Sequence, residues 1–90
     1  MTDAASTGNA AFATAAEEAT KLATAPGQSD MLDLYALFKQ GIFGDNNTTR
    51  PGMMDFKGKA KWDAWDSKKG MSKEDAQQKY IELVERLKSA

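Results

Sequence analysis

The chain contains neither cysteine nor histidine among its 90 residues. Without cysteine it can form no disulfide bond and no thiolate metal site, and it has no thiol nucleophile. Without histidine it lacks the side chain best suited to proton transfer near neutral pH, which is also the commonest metal ligand. An enzyme built from this chain has to work with carboxylates, lysines and tyrosines. These absences count against an enzyme without excluding one, and we expect no metal and no cofactor.

Long hydrophobic runs are absent as well. No stretch approaches the roughly 20 apolar residues that span a bilayer. The N-terminal residues lack the basic start and the continuous apolar core of a secretory signal. The lack of cysteine fits a reducing compartment. We therefore expect a cytoplasmic protein with no stable insertion into a membrane.

The length of the chain fits a single domain over residues 1–90. A domain of this size buries only about two-thirds of the surface that its unfolded chain exposes. It therefore has room for a shallow groove rather than a deep cavity.

Charge is distributed unevenly along the chain. Residues 1–35 carry five acidic residues and one basic residue, whereas residues 50–69 carry six basic residues and three acidic ones. The net charge of −1 therefore conceals a local positive region. A general nucleic-acid binder usually has a basic surface over its whole domain. The region here matches a few phosphates, so we expect no nucleic-acid partner.

The segment RPGMMDFKGKAKWDAW, residues 50–65, holds three lysines (Lys57, Lys59 and Lys61) directly before Trp62 and Trp65. Lysines bind phosphate as point charges, and indole rings bind flat or apolar groups. Both kinds of side chain lie within about two helical turns. The segment therefore indicates a ligand with a polyanionic end and an apolar or aromatic end. The alternative is a solvated basic helix whose tryptophans belong to the core.

Apolar residues at helical spacing predict four helices and no strand. The first runs from about Phe12 and is stopped by Pro26-Gly27. The second is capped by Ser29 or Asp30 and ends at residues 44–47. Because it is apolar around much of its circumference, we expect it to be central.

The third predicted helix runs from about Gly58 to Lys68 and is terminated by Gly70. Ser72, followed three residues later by Asp75, resembles a capping box before the fourth helix. The apolar stripe of that helix consists of Ala76, Tyr80, Leu83, Val84 and Leu87.

Four short helices with tight connections, apart from one long loop after the second helix, predict a small all-α four-helix bundle. Residues 1–9 are small and polar, so we expect a frayed N-terminal extension.

Several candidate binding residues have helical spacings that place them on shared faces. Tyr35 and Lys39 share one face of the second helix, and Lys57 and Lys61 are four residues apart on the third. Tyr80 lies in the apolar stripe of the fourth helix, where its hydroxyl needs a partner. Each residue alone is better explained as core or as solvated surface. Their convergence on one groove is less easily explained by chance, although spacing alone does not demonstrate it.

Four motifs now identify a resemblance: LDLYALFKQ, then GD, then RPGMMDFKGKAKWDAW, then KGMSKEDA. In this order they closely resemble the acyl-CoA-binding protein family, from about Phe12 to Leu87. The resemblance implies a four-helix bundle in an up-down-down-up arrangement. It also implies a non-catalytic carrier that binds long-chain fatty acyl-CoA thioesters in a bowl between the helices.

The resemblance also implies which residues bind the acyl-CoA. The tyrosine and lysine of the family's helix-two motif fall on Tyr35 and Lys39, and the lysines that meet the nucleotide phosphates fall on Lys57 and Lys61. The remaining implied contacts are Ala16 in the first helix, Phe38 in the second, Trp62 beside the site and Tyr80 in the last helix. Trp65 is expected to be a packing residue.

Two positions depart from the family pattern. Phe38 stands where the family often has a second tyrosine, which keeps the aromatic surface but removes a hydroxyl. Thr20 stands where a basic residue is common in the first helix. Lys21 is adjacent but lies about 100° around the helix, so it is not a substitute.

The interpretation as a carrier leaves two alternatives. The first is a small helical nucleotide- or nucleic-acid-binding module that uses residues 57–65. The second is an enzyme that hydrolyses the thioester with carboxylates. For the carrier we expect a monomer that makes only transient contact with membranes or with acyl-CoA-using enzymes.

Overall fold

The computed structural model describes residues 4–89, and within them it contains helices and no strand. A 3-10 helix, Ala4–Thr7, precedes four α-helices: α1 (Ala10–Ala19), α2 (Gln28–Phe43), α3 (Phe56–Asp66) and α4 (Lys73–Ser89). This confirms the prediction of an all-α protein with four helices. The up-down-down-up order of the helices stays a prediction. No helix within residues 4–89 is both long and apolar enough to cross a bilayer.

Helix α1 is shorter than the sequence pattern predicts. It begins after Asn9, whose side-chain oxygen accepts a hydrogen bond from the amide of Phe12 at 3.1 Å. It ends at Ala19, because the hydroxyl and amide of Thr20 both bond to the carbonyl of Glu17. With its last carbonyls bonded in this way, the helix stops well before Pro26-Gly27, where its end was wrongly predicted.

The predicted cap of α2 is also wrong. The helix begins at Gln28, and the capping residue is Gly27, which makes no side-chain hydrogen bond. Ser29 and Asp30 lie inside the first turn instead. The carboxylate of Asp30 is favoured there by the helix dipole, and it also pairs with Arg86 of α4 at 2.8 Å.

The starts of the last two helices are fixed by side-chain caps. Helix α3 begins at Phe56, slightly earlier than predicted, because the carboxylate of Asp55 accepts from the amide of Gly58 at 2.9 Å. At the start of α4 the hydroxyl of Ser72 accepts from the amide of Asp75 at 3.0 Å. The predicted cap by Ser72 is therefore confirmed.

Residues 4–9 of the N-terminal extension, for which we expected fraying, pack against the bundle in this structure. Ala4 is buried in the core, and its 3-10 helix contacts α1 and α2. The side-chain amide of Asn9 donates to the side-chain oxygen of Gln77 at 2.9 Å. Gln77 in turn donates to the carbonyl of Gly41 at 2.9 Å. Residues 1–3, which the same prediction covered, lie outside the described residues.

Helix α2 occupies the centre of the bundle, as predicted, and contacts both α3 and α4, while α1 packs against α4. The ring of Phe12 is completely buried. It meets Tyr80 edge to face at 5.2 Å between centroids, and Phe38 lies 5.8 Å away. The other fully or largely buried apolar residues are Ala15, Ala36, Leu37, Ile42, Trp65, Ala76 and Val84.

A polar cluster fixes the turn between α3 and α4 against the end of α2. One carboxylate oxygen of Asp45 accepts from the amide of Gly70 and from the side chain of Gln40, both at 2.9 Å. These two hydrogen bonds, first that of Gly70 and then that of Gln40, lower the pKa of the Asp45 carboxyl. Gln40 is fully buried and also donates to the carbonyl of Met71 at 2.8 Å.

The loop formed by residues 44–55 is attached to α3 along its length. The indole of Trp65 donates to the carbonyl of Gly44 at 2.9 Å, and the indole of Trp62 donates to the hydroxyl of Thr48 at 3.0 Å. Further along, Arg50 makes two hydrogen bonds of 2.9 Å to the carboxylate of Asp63. These contacts hold the start of α3 in place beside α2.

We predict that Gly70→Ala lowers the free energy of unfolding by about 1–2 kcal/mol, because Gly70 has a φ of +93° that disfavours a side chain. The matched control is Gly52→Ala, whose added Cβ meets no heavy atom within 4 Å and whose φ is not positive. The control should be neutral or stabilising by up to about 1 kcal/mol. Urea unfolding measures both, and equal stabilities of the two variants would contradict the role given to Gly70.

Candidate ligand-binding site

Two apolar pockets lie next to each other and share Met31 and Tyr35 in their walls. The first has a volume of about 360 Å³ and is lined by Ala16, Ala19, Thr20, Pro26, Met31, Leu34, Tyr35, Phe38 and Tyr80. The second has a volume of about 690 Å³ and is lined by Gln28, Met31, Leu32, Tyr35, Phe56, Lys57, Ala60 and Lys61. We call them the aromatic pocket and the lysine pocket.

The aromatic pocket is built on the buried rings of the core. Phe38 and Tyr80 lie 5.9 Å apart in its wall, and both pack on Phe12 beneath them. The wall that α1 contributes includes the small side chains of Ala16 and Ala19. This arrangement offers flat aromatic surfaces to a ligand and leaves space opposite them.

The hydroxyl of Tyr80 is one of the polar groups of this pocket, whose lining also includes Thr20 and Tyr35. Within residues 4–89 no backbone or side-chain group forms a hydrogen bond with the Tyr80 hydroxyl, although the residue is only 5% exposed. Burial raises the pKa of Tyr80 further above physiological pH, at which a phenol is neutral even with its ordinary pKa. It can therefore donate or accept a hydrogen bond to a ligand.

Tyr35 lines both pockets, and two ammonium groups lie near its ring. The ammonium of Lys61 is 5.2 Å from the centre of its ring, and that of Lys39 is 5.7 Å away. Both distances are within the range of a cation–π interaction. Positive charge is thus concentrated where the two pockets meet.

Lys39 rests on three aromatic rings and lies beside the pockets rather than in their walls. Besides Tyr35, it approaches Phe43 at 5.0 Å and Trp65 at 5.8 Å. Phe43 and Trp65 also contact each other at 6.0 Å. Phe43 was not among the predicted site residues, although its position four residues after Lys39 on a helix was a usable signal.

Lys57 and Lys61 both line the lysine pocket, as their spacing on α3 predicts. Among the described residues neither lysine forms an ion pair, whereas Lys68, Lys69 and Arg50 do. The ammonium groups of Lys57 and Lys61 are therefore available to an anionic ligand.

Two residues of the site were missed because their surroundings were not evident from the sequence. Met31 lines both pockets, and it stands four residues before Tyr35 on α2, which was the available signal. Phe56 lines the lysine pocket but fell outside the predicted third helix, which was placed two residues too late.

Trp62 is attached to the loop rather than lining a described pocket. Its indole bonds to Thr48 of the loop, and it is not among the described residues that line either pocket. Ala16, Tyr35, Phe38 and Tyr80 all line the aromatic pocket. Trp65 is buried, as expected for a packing residue.

The site offers groups that can bind a ligand by apolar packing, hydrogen bonding and charge. Within residues 4–89 no group of three or more carboxylates is positioned to hold a metal ion. The described site instead combines apolar walls, one unbonded buried phenol and ammonium groups that lack ion-pair partners. Such a site suits an amphipathic anion.

Comparisons with known proteins agree with a binding site for an amphipathic anion. A family model described as "Acyl CoA binding protein" matches residues 9–84. The chain is 58% identical over 76 residues to "Acyl-CoA-binding protein homolog 1" of Caenorhabditis elegans, covering 84% of this chain and 88% of that relative.

Solved structures share the fold. The crystal structure of Oryza sativa Acyl-CoA-Binding Protein 2 matches with a TM-score of 0.82 and 42% identity over 86% of each chain. The crystal structure of ACBP from Moniliophthora perniciosa matches with a TM-score of 0.81 and 48% identity, covering 87% of this chain and 77% of that one. With a family match over most of its length and relatives this similar, the chain belongs to the acyl-CoA-binding protein family.

Proposed function

We propose that this protein binds long-chain fatty acyl-CoA thioesters without catalysis and serves as their carrier and pool buffer. The observation that carries the proposal is the pair of adjoining apolar pockets, the aromatic pocket and the lysine pocket, with lysine ammonium groups near the Tyr35 that they share. An acyl-CoA has the same three parts: a flat base, a group of phosphates and a long alkyl tail.

The aromatic pocket fits the adenine base. Phe38 and Tyr80 provide ring surfaces on which a base can pack, and the Tyr80 hydroxyl supplies one directional hydrogen bond. Phe38 can act only by packing, since it has no polar group. Ala16 lines the same pocket and leaves room for the base.

Lys39, Lys57 and Lys61 are the proposed partners of the phosphates. Two of their ammonium groups, those of Lys39 and Lys61, lie within about 6 Å of the centre of the Tyr35 ring, so anionic groups bound near this tyrosine can interact with both. Charge-assisted hydrogen bonds to phosphate are among the stronger polar contacts in proteins. We also keep Trp62 as a proposed contact at the edge of the site, on the family resemblance alone.

The lysine pocket fits the alkyl tail. Met31, Leu32, Phe56 and Ala60 give it apolar walls, and it is the larger of the two pockets. Each buried methylene contributes about 0.8 kcal/mol, so ten of them contribute roughly 8 kcal/mol before the cost of ordering the tail. The tail can therefore supply much of the affinity, while the lysines set the orientation of the ligand.

The remaining parts of the proposal concern the state of the protein. We propose that residues 1–90 act as one acyl-CoA-binding domain, in the cytoplasm and as a monomer. We propose that it needs no metal or cofactor and has no nucleic-acid partner. Contacts with membranes or with acyl-CoA-using enzymes are proposed to be transient. The family match does not support the alternative of a nucleotide- or nucleic-acid-binding module.

We predict that palmitoyl-CoA binds far more tightly than either free coenzyme A or palmitate, because only the thioester occupies both pockets. Calorimetric titration of the three ligands, with an oligonucleotide as a fourth, measures this. Equal affinities for coenzyme A and palmitoyl-CoA would contradict the two-pocket proposal. Thioester absorbance that stays constant over hours is the expected sign that the protein does not catalyse hydrolysis.

We predict that Lys61→Ala weakens binding of palmitoyl-CoA by about 1.5–3 kcal/mol, the range for hydrogen bonds to charged groups. Lys39→Ala should have an effect in the same direction. Lys59→Ala is the matched control, since Lys59 lies on the same helix but does not line either described pocket. It should change the affinity by no more than about twofold. Equal affinities of folded Lys61→Ala and Lys59→Ala would place the phosphates elsewhere.

We predict that Tyr80→Phe weakens binding by about 0.5–1.5 kcal/mol and costs little stability. The reason is that the hydroxyl bonds to no described group of the protein and is free for the ligand. Calorimetry and thermal unfolding on the same variant separate the two effects. A loss of stability with unchanged affinity would remove Tyr80 from the site.

A further inference from the structure

Large apolar side chains are exposed together at the start of α3. Met53 is 81% exposed, Met54 87% and Phe56 71%. These are the three most exposed large apolar residues in the described chain, and they lie within four positions of one another. We call them the methionine tip. Clustered exposure of this kind marks an interaction surface rather than ordinary surface composition.

The backbone holds the methionine tip outward. The carbonyl of Gly52 accepts from the amide of Asp55 at 3.1 Å, so Met53 and Met54 occupy the two central positions of a tight turn. Asp55 then caps α3 through the amide of Gly58. Neither methionine is among the described residues that line the pockets. Their exposure is therefore built into the turn and is not used by the proposed ligand site.

Positive charge lies beside the Phe56 end of the methionine tip. The ammonium of Lys59 lies 5.2 Å from the centre of the Phe56 ring. Lys57 directly follows Phe56 on α3. Neither lysine forms an ion pair within the described part of the chain. The nearby Arg50 is neutralised by Asp63, and the only carboxylate inside residues 53–61 is that of Asp55. A chain with a net charge of −1 thus presents a local cationic surface beside its most exposed apolar residues.

We propose that the methionine tip docks on lipid bilayers that contain anionic phospholipids. Met53, Met54 and Phe56 enter the interfacial region of the bilayer, and Lys57 and Lys59 bind the headgroup phosphates. Apolar insertion and attraction to anionic lipid each give weak binding, and together they give reversible attachment. The tip and its lysines supply both.

This inference rests on the proposed function and deepens it. Phe56 and Lys57 belong to both the methionine tip with its lysines and the wall of the lysine pocket. Docking therefore brings the mouth of the pocket proposed for the acyl tail to the surface of the bilayer. A long-chain acyl-CoA is itself an amphiphile that partitions into such a surface. The ligand then reaches the pocket without exposing its whole tail to water.

Charge favours a lipid surface over a second copy of the chain. A symmetric dimer through the methionine tip places the same surface on both sides of the interface. It therefore brings Lys57 and Lys59 of each copy against those of the other, which is unfavourable. An anionic bilayer complements the same lysines and also accommodates the apolar side chains.

Cosedimentation of the ligand-free protein with vesicles tests the proposal. The parent should bind vesicles of phosphatidylcholine and phosphatidylserine in a ratio of about 3:1, and bind much less to phosphatidylcholine alone. Met53→Ser combined with Met54→Ser should lower the partition coefficient by about 10-fold or more. The matched control, Met53→Leu with Met54→Leu, keeps the apolar surface and should bind like the parent.

A second pair of variants, Lys59→Ala and its control Lys79→Ala, measures how much positive charge contributes to vesicle binding. Lys59→Ala should lower vesicle binding by about fivefold and reduce its dependence on salt. Lys79→Ala removes a lysine that is exposed on α4 and lines neither described pocket, and this variant should bind vesicles like the parent.

Circular dichroism and the affinity for palmitoyl-CoA in solution should be unchanged in both methionine variants, because neither methionine is among the residues that line the described pockets.

The outcomes separate this inference from the proposed function. Equal vesicle binding by the parent and the serine variant, or no binding of the parent to anionic vesicles at low salt, overturns the docking proposal. Dimers that depend on Met53 and Met54, seen by sedimentation velocity without vesicle binding, overturn it in favour of a second copy. Vesicle binding without affinity for palmitoyl-CoA in solution overturns the proposed function while leaving the docking surface in place.

Discussion

The packing of Phe12 against α2 and α4 is the contact on which the rest of the bundle depends. Its ring is completely buried and contacts Phe38 of one helix and Tyr80 of the other. Helix α1 is short and rich in alanine, so this aromatic ring provides much of its apolar burial. The same ring supports the wall of the aromatic pocket. Stability and the shape of the binding surface are therefore coupled at one residue.

The second constraint is the set of polar contacts at the carboxyl end of α2. Gln40, Asp45 and Gly70 connect that end to the turn between α3 and α4, and Gln77 bonds the carbonyl of Gly41 from α4. Buried polar groups are costly unless they are bonded, so these contacts favour one arrangement of the helices over others. By fixing α3 beside α2, they leave the lysine pocket between the two helices.

The site combines apolar walls, which can bury a ligand's apolar parts, with a few charged groups, which can bind its anionic parts. Its apolar surface is continuous through Met31 and Tyr35, which both pockets share. The ammonium groups of Lys39 and Lys61 both lie near the ring of Tyr35, and the phenol of Tyr80 is neutral, with a pKa that burial raises further. Such a division lets burial provide affinity and lets charge provide orientation and rapid capture. The methionine tip repeats the combination of apolar groups and lysines on the outside of the protein.

The sequence by itself determined the class of fold and the family. Helical periodicity predicted the four helices, and capping chemistry placed the start of α4 at Ser72, because these signals act over a few neighbouring residues. The end of α1 and the start of α2 were misplaced, since Thr20 and Gly27 carry weaker local signals than Pro26 and Asp30.

Only the tertiary structure decided how the candidate residues are arranged. It packed Ala4 into the core, brought Met31 and Phe56 into the pocket walls and held Trp62 against the loop at Thr48. It also left the Tyr80 hydroxyl without a bond to the described protein. Spacing along one helix gives the face on which a side chain lies. Which side chains of different helices meet depends on contacts between residues that are distant in sequence, and no local pattern records those contacts.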